Sequence, residues 1–211
     1  MQVQLAMHIE AMSLRASPAQ CQQLAQFIAL LAKWNKVYNL TAIRDVNAML
    51  SEHVLDSLSL TPYVKGPRVL DVGTGGGLPG IPLAILLPDI EFSLLDSNAK
   101  KTRYVQQAVI ELKINNIDVI SSRAEEYQPD VLPAQITSRA FSSLVDFATA
   151  VRHLSNDGTE LLAMKGKYPA DELDALNGAN VEVIKLDVPT ISAERHLVRF
   201  SALSDLGAAN A

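Results

Sequence analysis

From residue 69 onward, short apolar runs alternate with longer amphipathic stretches. Five runs predict strands at residues 69–72, 91–96, 117–120, 134–138 and 159–164, and two closing runs predict strands at 181–186 and 196–200. Strands that alternate with helical stretches are typical of a parallel sheet with helices on both faces. The pattern therefore predicts an α/β fold with a doubly wound, seven-stranded, mostly parallel sheet and an antiparallel strand near its end.

The first 64 residues follow a helical pattern instead. Apolar residues recur at helical spacing over residues 18–37, where we expect Ser17 as the N-cap and Pro18 as the first helical residue. A second helix is predicted over residues 45–60. Because both precede the first strand, residues 1–64 are predicted to form an N-terminal helical cap on a core of residues 65–211, together making one compact unit.

A glycine-rich turn follows the first strand and leads into another apolar run at 81–87. Gly75, Gly77 and Gly80 match the G-x-G-x-x-G spacing of dinucleotide sites, which would indicate a nicotinamide-dependent oxidoreductase. Asp71 lies two residues before Gly73, the first glycine of the turn, and it favours a different ligand. Its carboxylate would repel a pyrophosphate but attract the sulfonium and ammonium of S-adenosylmethionine. Asp71 therefore favours an adenosylmethionine site.

Polar residues at the ends of the next strands extend this interpretation. Asp96 ends the second predicted strand, where an acid can accept hydrogen bonds from ribose hydroxyls. Ala124 and Glu125 follow the third strand, at the place where an adenine would be held. The predicted cofactor-binding set, given in full, is Gly73, Gly75, Leu78, Asp96, Ala124, Glu125 and Arg139.

Five segments together resemble a known family. They are residues 34–41, 52–58, 71–80, 138–140 and 165–167, and the resemblance extends from about residue 24 to residue 201. The family is the bacterial 16S rRNA (guanine-N7)-methyltransferase G family, also called glucose-inhibited division protein B. The resemblance implies a Rossmann-like methyltransferase fold, S-adenosylmethionine as cofactor with S-adenosylhomocysteine as product, and methylation of N7 of guanosine 527 in 16S rRNA of the small ribosomal subunit.

Charged residues near three strand ends are candidates for binding that substrate. Arg123, Arg139 and Lys165 follow or end the third, fourth and fifth predicted strands, and such ends meet at one edge of a parallel sheet. We expect Arg123 and Lys165 to contact RNA. Arg139 is the predicted catalytic residue, because its guanidinium can hold the cofactor carboxylate or donate to guanine or a phosphate. The sequence leaves these roles open.

The implied chemistry needs no general base, because guanine N7 carries a lone pair and no hydrogen. His53 is therefore expected to have a structural role, paired with Asp56 one helical turn later. Two other functions remain open beside methyl transfer. One is the oxidoreductase indicated by the glycine spacing, and the other is a ribosome-assembly factor that binds the cofactor without catalysis.

Composition narrows the class of protein further. A formal net charge of −5 argues against nonspecific coating of nucleic acid, which requires many lysine and arginine contacts. The single cysteine, Cys21, cannot form an internal disulfide, and no cysteine and histidine cluster has zinc spacing. No apolar run reaches membrane-spanning length. These features predict a cytoplasmic protein, expected as a monomer, without a metal or a membrane partner.

Overall fold

The computed structural model describes residues 1–139, 141–176 and 180–201, so Ala140 of the family-like segment 138–140 lies outside the described residues. The N-terminal part is helical, as predicted. Its elements are α1 (Gln2–Ala11), α2 (Pro18–Tyr38), α3 (Val46–Met49), a π-helical turn (Leu50–Leu55), α4 (Asp56–Leu58) and a 3₁₀ turn (Thr61–Tyr63).

The start of α2 shows the local signal that the sequence predicted. Ser17 adopts an extended conformation, and its hydroxyl accepts a hydrogen bond from the Gln20 N–H, while the Gln20 side chain accepts from the Ser17 N–H. This reciprocal pair satisfies two backbone donors that a helix end would otherwise leave unpaired. The second predicted helix is interrupted, because residues 50–55 widen into a π-helical turn between α3 and α4.

Over the rest of the described chain, strands alternate with helices or 3₁₀ turns, except that the last two strands follow each other directly. The strands are β1 (Arg68–Val72), β2 (Glu91–Asp96), β3 (Ile117–Ser121), β4 (Gln135–Ser138), β5 (Glu160–Lys165), β6 (Val181–Lys185) and β7 (His196–Ser201). The helices are α5 (Gly80–Leu86), α6 (Ala99–Glu111), α7 (Leu144–Val151) and α8 (Ala170–Leu173), with 3₁₀ turns at Ala124–Glu126, Arg152–Leu154 and Asp174–Leu176.

The seven strands form one sheet in the order β3-β2-β1-β4-β5-β7-β6. Pairs from β3 through β5 are parallel, whereas β7 runs antiparallel to both β5 and β6. The predicted α/β class, strand number and late antiparallel strand are confirmed. Strand order reverses between β1 and β4, and ligands of open α/β sheets bind beside the carboxyl ends of strands at such a point.

The cap and one face of the sheet share a single apolar core. Leu24 and Phe27 of α2 belong to the same buried cluster as Ile81 of α5 and Leu94 of β2. A second cluster on the other face contains Phe147 of α7. The cap is therefore fixed against the sheet by buried apolar surface. No helix in residues 1–139, 141–176 or 180–201 is long and apolar enough to cross a membrane.

Close packing at the start of α5 gives a stability prediction. A Cβ added at Gly80 would overlap Leu94 Cδ2 and lie 2.9 Å from Asp71 Oδ2, whereas one added at Gly166 would meet nothing within 4 Å. We expect Gly80→Ala to lower the free energy of unfolding by about 1–3 kcal/mol, because the buried side chains of Leu94 and Asp71 must shift. Gly166→Ala is the matched control and should change it by less than about 0.5 kcal/mol in urea unfolding. Equal effects would contradict this packing account.

Candidate active site

A buried carboxylate supports the glycine-rich turn from beneath. Asp71 is 0% exposed, and its Oδ2 accepts hydrogen bonds from Thr74 Oγ1 at 2.7 Å and from the Gly80 N–H at 3.0 Å. These contacts are with the turn itself, so the expected attraction of the Asp71 charge for the cationic groups of a ligand stays a prediction. Gly80 begins α5, so a carboxylate occupies the helix end where a pyrophosphate would need positive potential. This arrangement disfavours the dinucleotide interpretation.

Two predicted ligand residues in this turn, Gly73 and Gly75, have a left-handed backbone conformation. Gly73 has φ 73° and Gly75 has φ 59°, values that side chains with a Cβ rarely adopt. The N–H groups of Gly73 and Thr74 donate to the Leu95 carbonyl at 2.8 and 3.1 Å. The turn is therefore fixed to the end of β2, and its backbone stays close to whatever lies above it.

Asp96 completes this attachment. Its Oδ2 accepts from the Gly75 N–H at 2.9 Å, and its Oδ1 accepts from the Asn98 N–H at 2.8 Å. A carboxylate has about four acceptor positions, so these two bonds fix its orientation and leave capacity for a ligand. Asp96 is thus held rigidly at the end of β2, where the sequence predicted a ribose contact.

A cavity of about 320 Å³ opens beside the ends of β1, β2 and β3. The predicted residues that line it are Gly73, Asp96, Arg123, Ala124 and Glu125. Gly75 contributes through its bond to Asp96, whereas Leu78 is 5% exposed and belongs to the apolar core. The structure adds lining residues that the sequence did not single out as ligands, among them Lys101 and Phe141.

A second cavity of about 460 Å³ adjoins the ends of β4 and β5 and shares Phe141 with the first. Arg139 and Lys165 line this second cavity, whereas Gly73, Asp96, Ala124 and Glu125 line the first, so a contact of Arg139 with the cofactor stays a prediction. The Lys165 Nζ donates to Glu172 Oε1 at 3.0 Å and Oε2 at 2.9 Å, and to the Ser142 carbonyl at 3.1 Å. Lys165 is therefore an ion-paired wall residue, and its contact with RNA stays a prediction.

Arg139 is held by the helical cap. Its Nη1 donates to Asp56 Oδ2 at 3.1 Å and to the Glu52 carbonyl at 3.3 Å. The other oxygen of Asp56 accepts from Arg195 Nε at 3.0 Å, and Asp56 itself is 3% exposed. A buried carboxylate thus binds two arginines from two different parts of the sheet edge. We call this group of Asp56, Arg139 and Arg195 the arginine clamp.

The expected pairing of His53 with Asp56 is wrong. His53 Nδ1 donates to the Glu52 carbonyl at 3.0 Å, so its neutral Nε2 accepts from Thr41 Oγ1 at 2.8 Å. Burial, with Arg139 nearby, lowers the pKa of His53 to about 4. His53 is therefore neutral near pH 7, and both of its ring nitrogens form hydrogen bonds. Its role is structural, as expected, but its partners are Glu52 and Thr41.

The chain matches the family described as rRNA small subunit methyltransferase G, GidB, over residues 20–198. The chain belongs to the GidB family. Relatives named ribosomal RNA small subunit methyltransferase G include one from Pseudomonas syringae pv. tomato, 55% identical over 86% of this chain and 87% of the relative. Another, from Marinobacter nauticus, is 54% identical over 90% of each chain.

Solved structures support the fold assignment independently. A SAM-dependent methyltransferase from Aquifex aeolicus superposes with a TM-score of 0.57 at 18% identity, covering 74% of this chain and 93% of that one. The human methyltransferase 10 domain containing protein gives a TM-score of 0.57 at 14% identity, covering 84% and 96%. The predicted Rossmann-like methyltransferase fold is therefore confirmed.

The GidB-like segments in the cap have a physical role at the site. Asn35, 1% exposed, accepts from the Thr41 N–H at 2.9 Å and donates to the Ile43 carbonyl at 3.0 Å. Thr41 in turn bonds His53, in the turn that presents Asp56. Segments 34–41 and 52–58 thus support the arginine clamp. Asp56 could have been identified as a site residue from the sequence, because it is an acid within the family-like segment 52–58.

The buried Asp71 generates a pH prediction. Burial raises the pKa of Asp71 from 3.8 to about 6. Its folded pKa exceeds the unfolded one, so its contribution to stability falls as pH rises from about 4 to 6 and is constant above. In Asp71→Asn, the free energy of unfolding relative to the parent should rise by roughly 2–3 kcal/mol between pH 4 and 7. The measurement is urea unfolding across pH, with the exposed Asp89→Asn as control. Parallel curves for the Asp71 variant and the parent would contradict the assignment.

Proposed function

We propose that this chain transfers the methyl group of S-adenosylmethionine to N7 of guanosine 527 in 16S rRNA of the small ribosomal subunit, acting as a cytoplasmic monomer. The observation that carries the proposal is a pair of adjoining cavities that share Phe141 at the carboxyl edge of the sheet. Relatives about half identical to the chain are named for small-subunit rRNA methylation. The atom and the nucleotide come from the resemblance of the sequence motifs.

The first cavity carries hydrogen-bonding groups that suit S-adenosylmethionine. Asp96 is fixed at the end of β2 with acceptor capacity for ribose hydroxyls, and Gly73 lets the backbone approach the ligand closely. Ala124 and Glu125 lie at the end of β3, on the side expected for the adenine. When bound, the cofactor supplies an electrophilic methyl group on a sulfonium.

The residues of the chain act in this proposal by orientation. The N7 lone pair needs no proton removed, and His53 is unsuited to remove one because both its nitrogens are engaged. Arg139 is fixed by Asp56 and lines the second cavity, which supports a role on the acceptor side. Holding the acceptor in line with the methyl group and excluding water are effects worth on the order of 7–11 kcal/mol.

The RNA substrate must present its base outside a regular helix. The N7 edge lies in the deep major groove of paired RNA, which side chains cannot enter, so a loop or flipped guanine is required. Arg123 is exposed at the first cavity and Lys167 is exposed at the second, where each can meet a phosphate. The chain as a whole is acidic, and these cations lie at one edge of the sheet. This distribution fits recognition of one site in the RNA better than nonspecific coating of RNA.

The test is transfer of a labelled methyl group to small ribosomal subunits, followed by mapping of the modified base. We expect one methyl group at N7 of the target guanosine and a single-turnover rate that is nearly flat between about pH 6 and 9, because no group needs to lose a proton. Label at another atom, or a rate rising tenfold per pH unit, would contradict the mechanism. Cofactor binding without transfer would favour the assembly-factor alternative.

Matched arginine variants test the acceptor side in the same assay. Arg139→Ala should reduce transfer sharply, and Arg139→Lys should restore little, because an ammonium cannot replace a planar fork of donors. The control is Arg15→Ala, which removes an exposed arginine between α1 and α2. Full activity in Arg139→Ala would overturn its assignment.

A further inference from the structure

The second cavity has features that the position of Arg139 does not explain. Its wall also includes the segment after β5, with Tyr168 and Glu172. It adjoins the first cavity at Phe141, whose ring packs against that of Phe147 with 5.3 Å between the ring centroids. A methyl acceptor must lie next to its donor, so if the first cavity holds the cofactor, this cavity is the place for the acceptor base.

Tyr168 offers a stacking surface there. Among the described residues it is the one aromatic side chain in the exposed class, with 53% of its surface accessible. Its ring is fixed by an edge contact with His196, with 5.6 Å between centroids and planes at 84°. An exposed ring at a cavity wall presents a π face on which a nucleobase can stack.

Glu172 offers a fixed acceptor on the same wall. Its Oε2 accepts from the Leu144 N–H at 2.7 Å and from Lys165 Nζ, and its Oε1 accepts from Lys165 Nζ at 3.0 Å. These contacts use three of about four acceptor positions, which leaves one on Oε1. The side chain of Glu172 is 27% exposed, so that position is reachable from the cavity.

We propose that this cavity selects guanine, with Glu172 Oε1 accepting the N1–H of the base and Tyr168 stacking on its ring. The inference rests on the proposed function and names the residue that distinguishes the bases. Guanine carries its N7 and its N1–H on different edges, so N7 can face the cofactor cavity while N1–H faces Glu172. Adenine presents an unprotonated N1 to the same carboxylate, and the two lone pairs repel each other.

Two arms test this inference. The first measures single-turnover transfer to reconstituted small subunits whose 16S rRNA carries guanosine at the target position. Glu172→Gln should slow transfer about 10- to 100-fold, the loss expected for a hydrogen bond to a charged group. Glu172→Asp keeps the charge but withdraws the oxygens, and should also slow transfer. Asp174→Asn, at an exposed acid in the following 3₁₀ turn that does not line the cavity, removes the same charge and should retain the parent rate.

The second arm needs no methyl transfer. The protein saturated with S-adenosylhomocysteine is titrated with 5′-GMP and with 5′-AMP and followed by NMR. The parent and Asp174→Asn should prefer GMP, and Glu172→Gln should lose that preference. Tyr168→Ala should weaken both nucleotides about 5- to 100-fold, while Tyr168→Phe keeps the ring and the affinity. Unfolding and cofactor affinity at parent values confirm that each variant is folded.

The outcomes separate the two proposals. If the parent methylates guanine N7 and Glu172→Gln matches Asp174→Asn in rate and nucleotide preference, the selection of guanine by Glu172 is overturned and the methylation stands. If the parent transfers no methyl group, the proposed function fails, and the GMP and AMP titrations still decide what the cavity selects. Equal affinity for both nucleotides that depends on Lys167 would show a phosphate site and overturn the inference.

Discussion

The arrangement of the whole site depends on how one buried charge is compensated. Asp56 is 3% exposed, and moving a carboxylate out of water costs several kcal/mol unless it is paired with good geometry. Arg139 and Arg195 bond its two oxygens separately, so the clamp joins α4 of the cap to the segments after β4 and before β7. Removing either arginine leaves the carboxylate under-compensated. The cap and the edge of the sheet are thus coupled through the residue that lines the acceptor cavity.

The same principle operates beneath the glycine-rich turn. Asp71 is buried, bonds Thr74 and Gly80, and fixes the turn from below, while Asp96 fixes it from the side. The turn is therefore preorganised before any ligand binds, and its electrostatics are set by a carboxylate at the start of α5. That local charge disfavours a phosphate in a segment whose glycine spacing alone matches a dinucleotide site. Asp71 thus affects which ligand the turn can bind without contacting that ligand.

Local signals predicted the fold well, and long-range contacts limited the prediction of the site. Alternating strands and helices, and Ser17 at the start of α2, were visible because neighbouring residues determine them. Helix α1 was missed because it buries one face through Leu5 and Ile9 alone, which is too short a pattern to recognise. Asp56 and Arg195 are 139 residues apart, so their contact had no local signature. His53 was given the wrong partner because helical spacing favoured Asp56, whereas the π-helical turn and Thr41 determine its bonds.

We propose that Asp56 positions Arg139 for methyl transfer. A double-mutant cycle tests this in single-turnover transfer to small ribosomal subunits, with Asp56→Asn, Arg139→Ala and the double variant, all verified as folded by thermal unfolding. Asp56→Asn preserves the shape of the side chain while removing its charge. We expect Asp56→Asn to slow transfer in the presence of Arg139, and the double variant to be no slower than Arg139→Ala alone, because the carboxylate acts through the arginine. Two losses that multiply independently in the double variant would contradict it.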